Sequence, residues 1–211
     1  MFDLDNDGDL DLFFANGHLN SVSGDNRQSN LLFENDGLGH FADISESSGV
    51  LATGKRIHRG AMFADYNNDG RVDIYVTVNG QQVEDGDGNI VFDANQGKGI
   101  LLRNETQTEN SWIKVRLEGT ESNRDGFGTI VNVRTADKLQ KQALSSGQGY
   151  FSSNAKELYF GLKEADTIDQ IDILWPSGLH QSFQKIPARQ TVYIVEGESL
   201  HQNTLILDHK K

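Results

Sequence analysis

The feature that most constrains the fold of this chain is a run of aspartates that alternate with other residues close to its start. The run comprises Asp3, Asp5, Asp7, Asp9 and Asp11. Like charges this close repel one another and raise each other's pKa values unless a cation lies among them. Aspartates at positions 1, 3 and 5 of a tight loop, with a glycine such as Gly8 at position 6, supply oxygen ligands for Ca²⁺. The spacing therefore predicts a calcium loop in which Asp9 offers its main-chain carbonyl and the other four aspartates offer carboxylates.

The residues that follow distinguish this loop from an EF-hand. An EF-hand has glutamate at position 12 and a helix on each side, whereas position 12 here is Phe14. Residues 10–15 instead combine aliphatic and aromatic side chains, which predicts a half-buried strand leaving the loop. For a single loop of this kind, an acidic solvent-exposed turn remains the alternative.

A second copy of the pattern strengthens the calcium interpretation. It begins 62 residues after the first, and its predicted metal-binding positions are Asp65, Asn67, Asp69, Arg71 and Asp73. Asparagine replaces one carboxylate, and the arginine stands at the main-chain carbonyl position. Residues 72–78 alternate in polarity and predict a strand after this loop too. Ca²⁺ is therefore the predicted cofactor, with about two ions per chain.

Two neighbouring segments carry weaker signals. Residues 79–99 predict a long loop, and its acidic part, 84–88, lacks the aspartates needed to complete a cage, so no metal is expected there. His58 stands between Arg56 and Arg59, just before the second loop. That cluster fits either a substrate-binding site or a solvated turn that pairs with nearby carboxylates.

Composition limits the classes of function. The 211 residues carry a formal net charge of −12 and include no cysteine, which argues against nucleic acid or anionic membranes as partners and excludes disulfides. No apolar run is long enough to span a bilayer. The motifs G-x-S-x-G and H-E-x-x-H are missing from the sequence, so we expect no catalytic residues and no enzymatic activity. Paired carboxylates could still act in a glycosidase. The alternative function is therefore an accessory domain of a secreted hydrolase that acts on a polymer or glycan. A structural spacer is the third possibility.

Further along the chain, short strands follow one another. Residues 31–34 and 40–44 predict a hairpin, and six strands are predicted at 112–117, 129–135, 158–162, 170–175, 180–186 and 191–196. Residues 136–144 fit either a short helix or a hairpin arm. The six strands predict a small all-β sandwich separate from the acidic loops.

Several of these motifs resemble known families. The two acidic loops, with NLLFENDGLGHF at 30–41 between them, resemble the FG-GAP/VCBS repeats of integrin-like β-propellers. The C-terminal half is similar to the ASPIC/UnbV domain, as in the cartilage acidic protein family. The motifs that carry this second resemblance are GTESNRDGFGTIV at 119–131, SGQGYFSS at 146–153, LYFGL at 158–162 and WPSG at 175–178.

The resemblance implies an all-β fold in three parts. Incomplete β-propeller blades with calcium-binding hairpin loops span 1–107, a β-sandwich-like ASPIC/UnbV domain spans 108–198, and a C-terminal tail spans 199–211. It implies an extracellular or cell-envelope interaction or adhesion-type module with an unidentified protein or glycan partner. The family's calcium ligands match Asp3, Asp5, Asp7, Asp11, Asp65, Asn67, Asp69 and Asp73.

The number of blades leads to two further expectations. Complete propellers of this kind have about seven blades, whereas fewer than two are present, and no signal peptide precedes the first loop. We therefore expect a C-terminal fragment of a larger secreted protein whose upstream blades are missing. Because a blade buries its faces against its neighbours, we expect residues 1–107 alone to be partly disordered or self-associating, and residues 108–198 to fold alone.

Overall fold

The computed structural model describes residues 1–18, 27–84, 86–88, 90–93 and 97–200. Regular structure within these residues is almost entirely β, and a 3₁₀ turn lies at Val50–Thr53. The strands are β1 (Leu12–Phe14), β2 (Leu31–Asn35), β3 (Phe41–Asp43), β4 (Ile57–Ala64), β5 (Asp73–Asn79), β6 (Gln81–Glu84), β7 (Ile90–Asp93), β8 (Ile100–Leu102), β9 (Ser111–Glu118), β10 (Ile130–Arg134), β11 (Leu139–Ala143), β12 (Glu157–Lys163), β13 (Thr167–Leu174), β14 (His180–Pro187) and β15 (Gln190–Val195). The predicted all-β class is confirmed. Across the described ranges, no helix combines the length and the hydropathy that crossing a bilayer would require.

The N-terminal half contains two three-stranded antiparallel sheets with one shared core. Their strand orders are β1-β2-β3 and β4-β5-β8, and the pairing of β2 with β3 confirms the predicted hairpin. The rings of Phe2 and Phe63 stack with centroids 4.8 Å apart between the sheets. The buried core residues are Phe2, Leu32, Val50, Phe63, Val72, Ile74 and Val76. Burial of these side chains is the main term that holds the two sheets together.

The long loop predicted for residues 79–99 is wrong, because β6 and β7 pair there as an antiparallel hairpin. Short runs of four residues flank an Asp-Gly sequence, which is a hairpin signal of the same kind as the one recognised at residues 31–44. Residue 85 of the acidic segment lies outside the described residues, so the expectation that this segment binds no metal stays a prediction. Residues 201–211 of the predicted C-terminal tail also lie outside the described residues.

The C-terminal half is a sandwich of two sheets around a second core. One sheet has the order β11-β10-β13-β14 and the other β12-β9-β15, and all six predicted strands are found. Residues 136–144 form a hairpin arm rather than a helix, since β11 pairs with β10. The core includes the fully buried Ile113, Val115, Val131, Phe160, Ile168, Ile171, Ile173 and Trp175.

The two halves contact each other through the first acidic loop. The N–H of Lys163 donates to the carbonyl of Asn6 over 3.0 Å, and the side-chain amide of Asn110 donates to the carbonyl of Asp5 over 3.0 Å. Gly161 lies against this loop, and a Cβ built on it would be 2.1 Å from Oδ2 of Asp3. In the intact chain the first acidic loop therefore packs against the sandwich. The expected disorder of residues 1–107 remains a prediction about that segment in isolation.

One carboxylate fixes a turn of the sandwich. Oε2 of Glu196 accepts hydrogen bonds from the main-chain N–H groups of Thr120, Glu121 and Ser122 over 2.7–2.9 Å. Its Oε1 accepts from the hydroxyls of Ser122 and Ser177. Burial alone would raise the pKa of Glu196, but these hydrogen bonds outweigh it and lower the pKa to about 2. The carboxylate thus ties the 120–122 turn to the end of β15.

We expect Glu196→Gln to destabilise the sandwich by more than about 1.5 kcal/mol, because an amide cannot accept all five hydrogen bonds. The folded pKa lies below the usual 4.5, so the stabilisation is present above that pH and is lost as pH falls toward about 2. Urea unfolding between pH 2 and pH 7 should show a smaller acid-dependent loss in the variant than in the wild type. Glu164→Gln, at an exposed position, is the control, and identical pH profiles for Glu196→Gln and wild type would contradict the assignment.

We expect Gly161→Ala to loosen the contact between the halves, because the new methyl group would overlap Asp3 and the main chain of Asn6. Overpacking of this kind costs about 1–3 kcal/mol. Hydrogen exchange should show faster exchange in the first loop, with smaller changes in the core of the sandwich. Gly147→Ala, where a Cβ meets nothing within 4 Å, is the matched control. Unchanged protection in Gly161→Ala would show that the close approach of this strand is not required.

Candidate metal centre

The two acidic loops occupy equivalent positions in the two N-terminal sheets. Phe2 and Asp11 form a β-bridge that closes the first loop, and Ala64 pairs with Asp73 to close the second. Each position in the second pair lies 62 residues after its counterpart in the first. Both loops therefore join antiparallel partners, as the spacing predicts.

Hydrogen bonds inside the loops recur at the same positions. The N–H of Gly8 donates to Oδ2 of Asp3 over 2.9 Å, and the N–H of Gly70 donates to Oδ2 of Asp65 over 3.1 Å. The φ angles of the two glycines are 85° and 86°, a conformation that glycine adopts without steric cost. This shared turn wraps the main chain around the first aspartate of each loop.

The last aspartate of each loop connects it to a neighbouring strand. Asp11 is 2% exposed, and its two oxygens accept from the N–H groups of Leu4, over 2.7 Å, and Asn35, over 2.9 Å. Asp73 accepts in the same way from the N–H groups of Tyr66 and Asn104. The closing aspartates thus tie the loop ends to their surroundings by main-chain hydrogen bonds.

The first loop brings three carboxylates together. Oxygen atoms of Asp3, Asp5 and Asp11 all lie within 4.8 Å of one another. Asp3 is 5% exposed, and its Oδ1 is buried without a hydrogen-bond partner. A buried carboxylate oxygen in that condition is costly unless a cation compensates its charge. This atom is the strongest sign of a ligand at the loop.

The pKa values of the clustered carboxylates are raised. The pKa of Asp3 is raised to about 7, mainly by burial and to a smaller extent by the carboxylates of Asp7, Asp5 and Asp11, while the hydrogen bond from the N–H of Gly8 opposes the shift. Burial likewise raises the pKa of Asp11 to about 6 and that of Asp5. A divalent cation among the three would favour their charged forms and reverse these shifts.

The other two aspartates of the first loop have different surroundings. Asp7 is not part of the three-carboxylate cluster; its Oδ1 accepts from the N–H of Asp9 over 2.8 Å. The side chain of Asp9 accepts from Nζ of Lys138 over 2.6 Å, which agrees with a role for its carbonyl rather than its carboxylate. Their assignments as metal-binding residues stay predictions.

Protein groups surround the second loop. Oδ2 of Asp69 accepts from Nη2 of Arg71 over 2.6 Å and from the amide of Asn67 over 2.8 Å. Burial would raise the pKa of Asp69, but hydrogen bonds from Arg71 and Asn67 outweigh it and lower the pKa. Asp65 accepts from Nζ of Lys114 over 3.1 Å. Sequence spacing gives no signal for Lys114, which lies 49 positions along the chain on β9.

The two loops therefore differ in how well they fit a hard divalent cation. The first offers three clustered carboxylates, one of them with an orphaned buried oxygen. In the second, Asp69 and Asp65 already bond to Arg71 and Lys114. The prediction of a second ion rests on the repeated spacing, and the surroundings of the second loop do not favour it.

His58 lies in β4 rather than in a solvated turn, and whether it binds a substrate stays a prediction. Its side chain is fully buried, and Nδ1 lies 3.1 Å from the carbonyl of Asn16. Burial lowers the pKa of His58, which favours the neutral ring. Arg59 donates to the carbonyl of Gly17 over 2.6 Å. Both contacts are to main-chain carbonyls rather than to the carboxylates considered from the sequence.

Comparisons with protein families agree with this architecture. A model described as FG-GAP-like repeat matches residues 3–76, and one described as ASPIC and UnbV matches residues 119–201. No curated protein matches the chain significantly. FG-GAP repeats imply propeller-like blades and often bind calcium. They are typically extracellular, and the two domains together suggest an adhesion or interaction module of that type. The chain thus contains an FG-GAP-like repeat at residues 3–76, followed by an ASPIC/UnbV domain at residues 119–201.

Proposed function

We propose that this chain is a calcium-stabilised interaction module of a secreted or cell-envelope protein and that it has no catalytic role. The observation that carries the proposal is the buried, unpartnered Oδ1 of Asp3 beside the carboxylates of Asp5 and Asp11. An acidic turn formed only for solubility would keep its carboxylates in water. Here the carboxylate with the most strongly raised pKa faces the inside of the loop.

Calcium is the cation that suits this set of groups. The loop offers carboxylate oxygens and, at Asp9, a main-chain carbonyl, and Ca²⁺ accepts six to eight oxygen ligands in flexible geometry. Mg²⁺ requires near-octahedral geometry and keeps several of its waters, so it is less suited to a compact protein cage. The absence of cysteine and the lack of histidine in the cluster disfavour Zn²⁺, which prefers nitrogen and sulfur ligands.

Calcium would act on the structure by joining the two ends of the first loop. Asp3 lies near its start and Asp11 closes it, so an ion bound by both would fix the loop main chain. That main chain bonds to the sandwich through the carbonyls of Asp5, Asn6 and Gly8. An ion in the loop would therefore stiffen the contact between the repeat and the ASPIC/UnbV domain.

An exposed aromatic pair supports an interaction role. Tyr150 and Phe151 are 58% and 87% exposed, and their rings meet edge to face with centroids 4.5 Å apart. Phe151 also has a φ of 49°, a conformation that costs energy for a bulky residue. Exposed aromatics are enriched at recognition surfaces. The partner is a protein or a glycan. A glycan array or cross-linking should detect binding by the wild type and weaker binding by Phe151→Ala. That result would distinguish an interaction role from that of a spacer.

Calcium titration of the metal-free chain should give saturable binding with a Kd of roughly 10⁻⁴–10⁻³ M, the range of extracellular modules. Asp3→Asn keeps the shape of the side chain and removes the charge, and we expect at least about tenfold weaker binding. The exposed Asp169→Asn is the charge-matched control. Equal calcium affinity in Asp3→Asn and Asp169→Asn would contradict the assignment of the site.

Thermal unfolding offers an independent prediction. At 100 times the Kd, one calcium ion should stabilise the wild type by about 2.7 kcal/mol. Asp3→Asn should lose this gain but unfold no earlier than wild type when both are metal-free, because the substitution removes a buried, uncompensated charge. A metal-free variant that is much less stable than metal-free wild type would indicate that Asp3 is required for folding rather than for binding.

A further inference from the structure

Lys114 is a buried cation that reaches the second acidic loop from the sandwich. Its side chain on β9 is 1% exposed, and the side chain of its ion-pair partner Asp65 is 0% exposed. Nζ lies 3.1 Å from Oδ2 of Asp65 and 2.9 Å from Oδ1 of Asn68. A lysine is almost never buried to this degree unless its charge is paired.

The surroundings of the ammonium form a closed polar network between the two halves. Oε2 of Glu157 lies 3.9 Å from Nζ of Lys114, and the ring of Tyr159 lies 5.8 Å from it. The N–H of Asp65 donates to the hydroxyl of Tyr159 over 3.2 Å. The ammonium is therefore held on several sides by groups of β12 and of the second loop.

The charges of the two loops are compensated differently. The second loop contains three carboxylates among its predicted metal-binding positions. Asp69 pairs with Arg71 over 2.6 Å, Asp65 pairs with Lys114, and Asp73 accepts two main-chain hydrogen bonds. At the first loop, the lysine ion pairs of the described residues join Lys138 to Asp9 and Lys163 to Asp7, which lie outside the three clustered carboxylates.

We propose that the ammonium of Lys114 is the resident cation of the second loop, so that this loop is held by the protein alone and the chain binds one Ca²⁺ rather than two. The single ion would occupy the first loop, and that part rests on the proposed function. The part that concerns the second loop does not.

The physical reason is repulsion between cations in a buried site. An ion bound by Asp65 would come within a few ångströms of Lys114, and with the side chain 1% exposed little water would screen the two charges. The ligand set is also weaker here, because Asn67 replaces the carboxylate that Asp5 supplies in the first loop. The side-chain amide of Asn67 donates to Asp69. The second loop thus offers less negative charge and already contains a positive one.

The first test is the number of ions bound by the intact wild-type chain. Isothermal titration and equilibrium dialysis with Ca²⁺ alone should give one ion per chain, and Asp3→Asn should bind that ion at least about tenfold more weakly. Two ions per chain in the wild type, with one still bound in Asp3→Asn, would overturn the inference. No ion in the wild type would overturn the proposed function of the first loop while leaving the second-loop inference to the next test.

The second test removes the ammonium in a chain whose first loop is disabled. In the Asp3→Asn background, Lys114→Met keeps the length of the stem and frees Asp65, and we expect one calcium ion to bind with a Kd of about 10⁻³ M or tighter. Lys138→Met in the same background is the matched control, since Lys138 pairs with an aspartate of the first loop, and it should gain none. A folded Lys114→Met variant that gains no site would show that the ammonium is not what excludes the metal. If that variant does not fold, the wild-type ion count still decides the inference.

Discussion

The compensation of crowded carboxylates by cations is the constraint on which the structure depends. The alternating aspartates give each acidic loop its tight turn, and they also give it charges that repel one another. A loop of this kind cannot be buried against another domain unless those charges meet positive groups or donors. Both loops are nevertheless buried in part against the sandwich, through Asn6, Asp65 and their neighbours. The contact between the two halves therefore depends on how each loop is neutralised.

The two acidic loops have the same main-chain geometry. The difference that bears on cation binding lies in their contacts with the sandwich. The turns at Gly8 and Gly70 have nearly equal φ angles, and the hydrogen bonds to the first and last aspartates recur in both. What differs is the neighbouring residue of the sandwich: Gly161 lies against Asp3, whereas Lys114 bonds to Asp65. Gly161 brings no cation to Asp3, which under the proposed function is compensated by a metal, whereas Lys114 compensates the charge of Asp65 directly. In this account the ASPIC/UnbV domain determines which loop takes an ion.

How well the sequence predicts each feature depends on the sequence separation of the residues that interact. The glycine turns of the acidic loops and most of the strands are encoded by local spacing, and they are found where that spacing predicts them. The β6–β7 hairpin was missed because its strands are only four residues long, too short for periodicity to distinguish from a loop. The burial of His58 depends on the pairing of β4 with β5. The neighbouring arginines make the segment polar, so the sequence gives no sign of this burial. Lys114 could not have been connected with Asp65 from spacing, since only the packing of the sandwich brings them together.

The measurement that tests this account most directly is hydrogen exchange on the intact chain with calcium and with EDTA. Calcium should slow exchange in the first loop and in the residues of β12 that contact it, around Gly161 to Lys163, because one ion joins the loop ends that this strand covers. Exchange around Asp65 and Asn68 should change much less, because Lys114 is present in both conditions. Equal calcium-dependent protection of the two loops, or no calcium-dependent protection of either, would contradict the account.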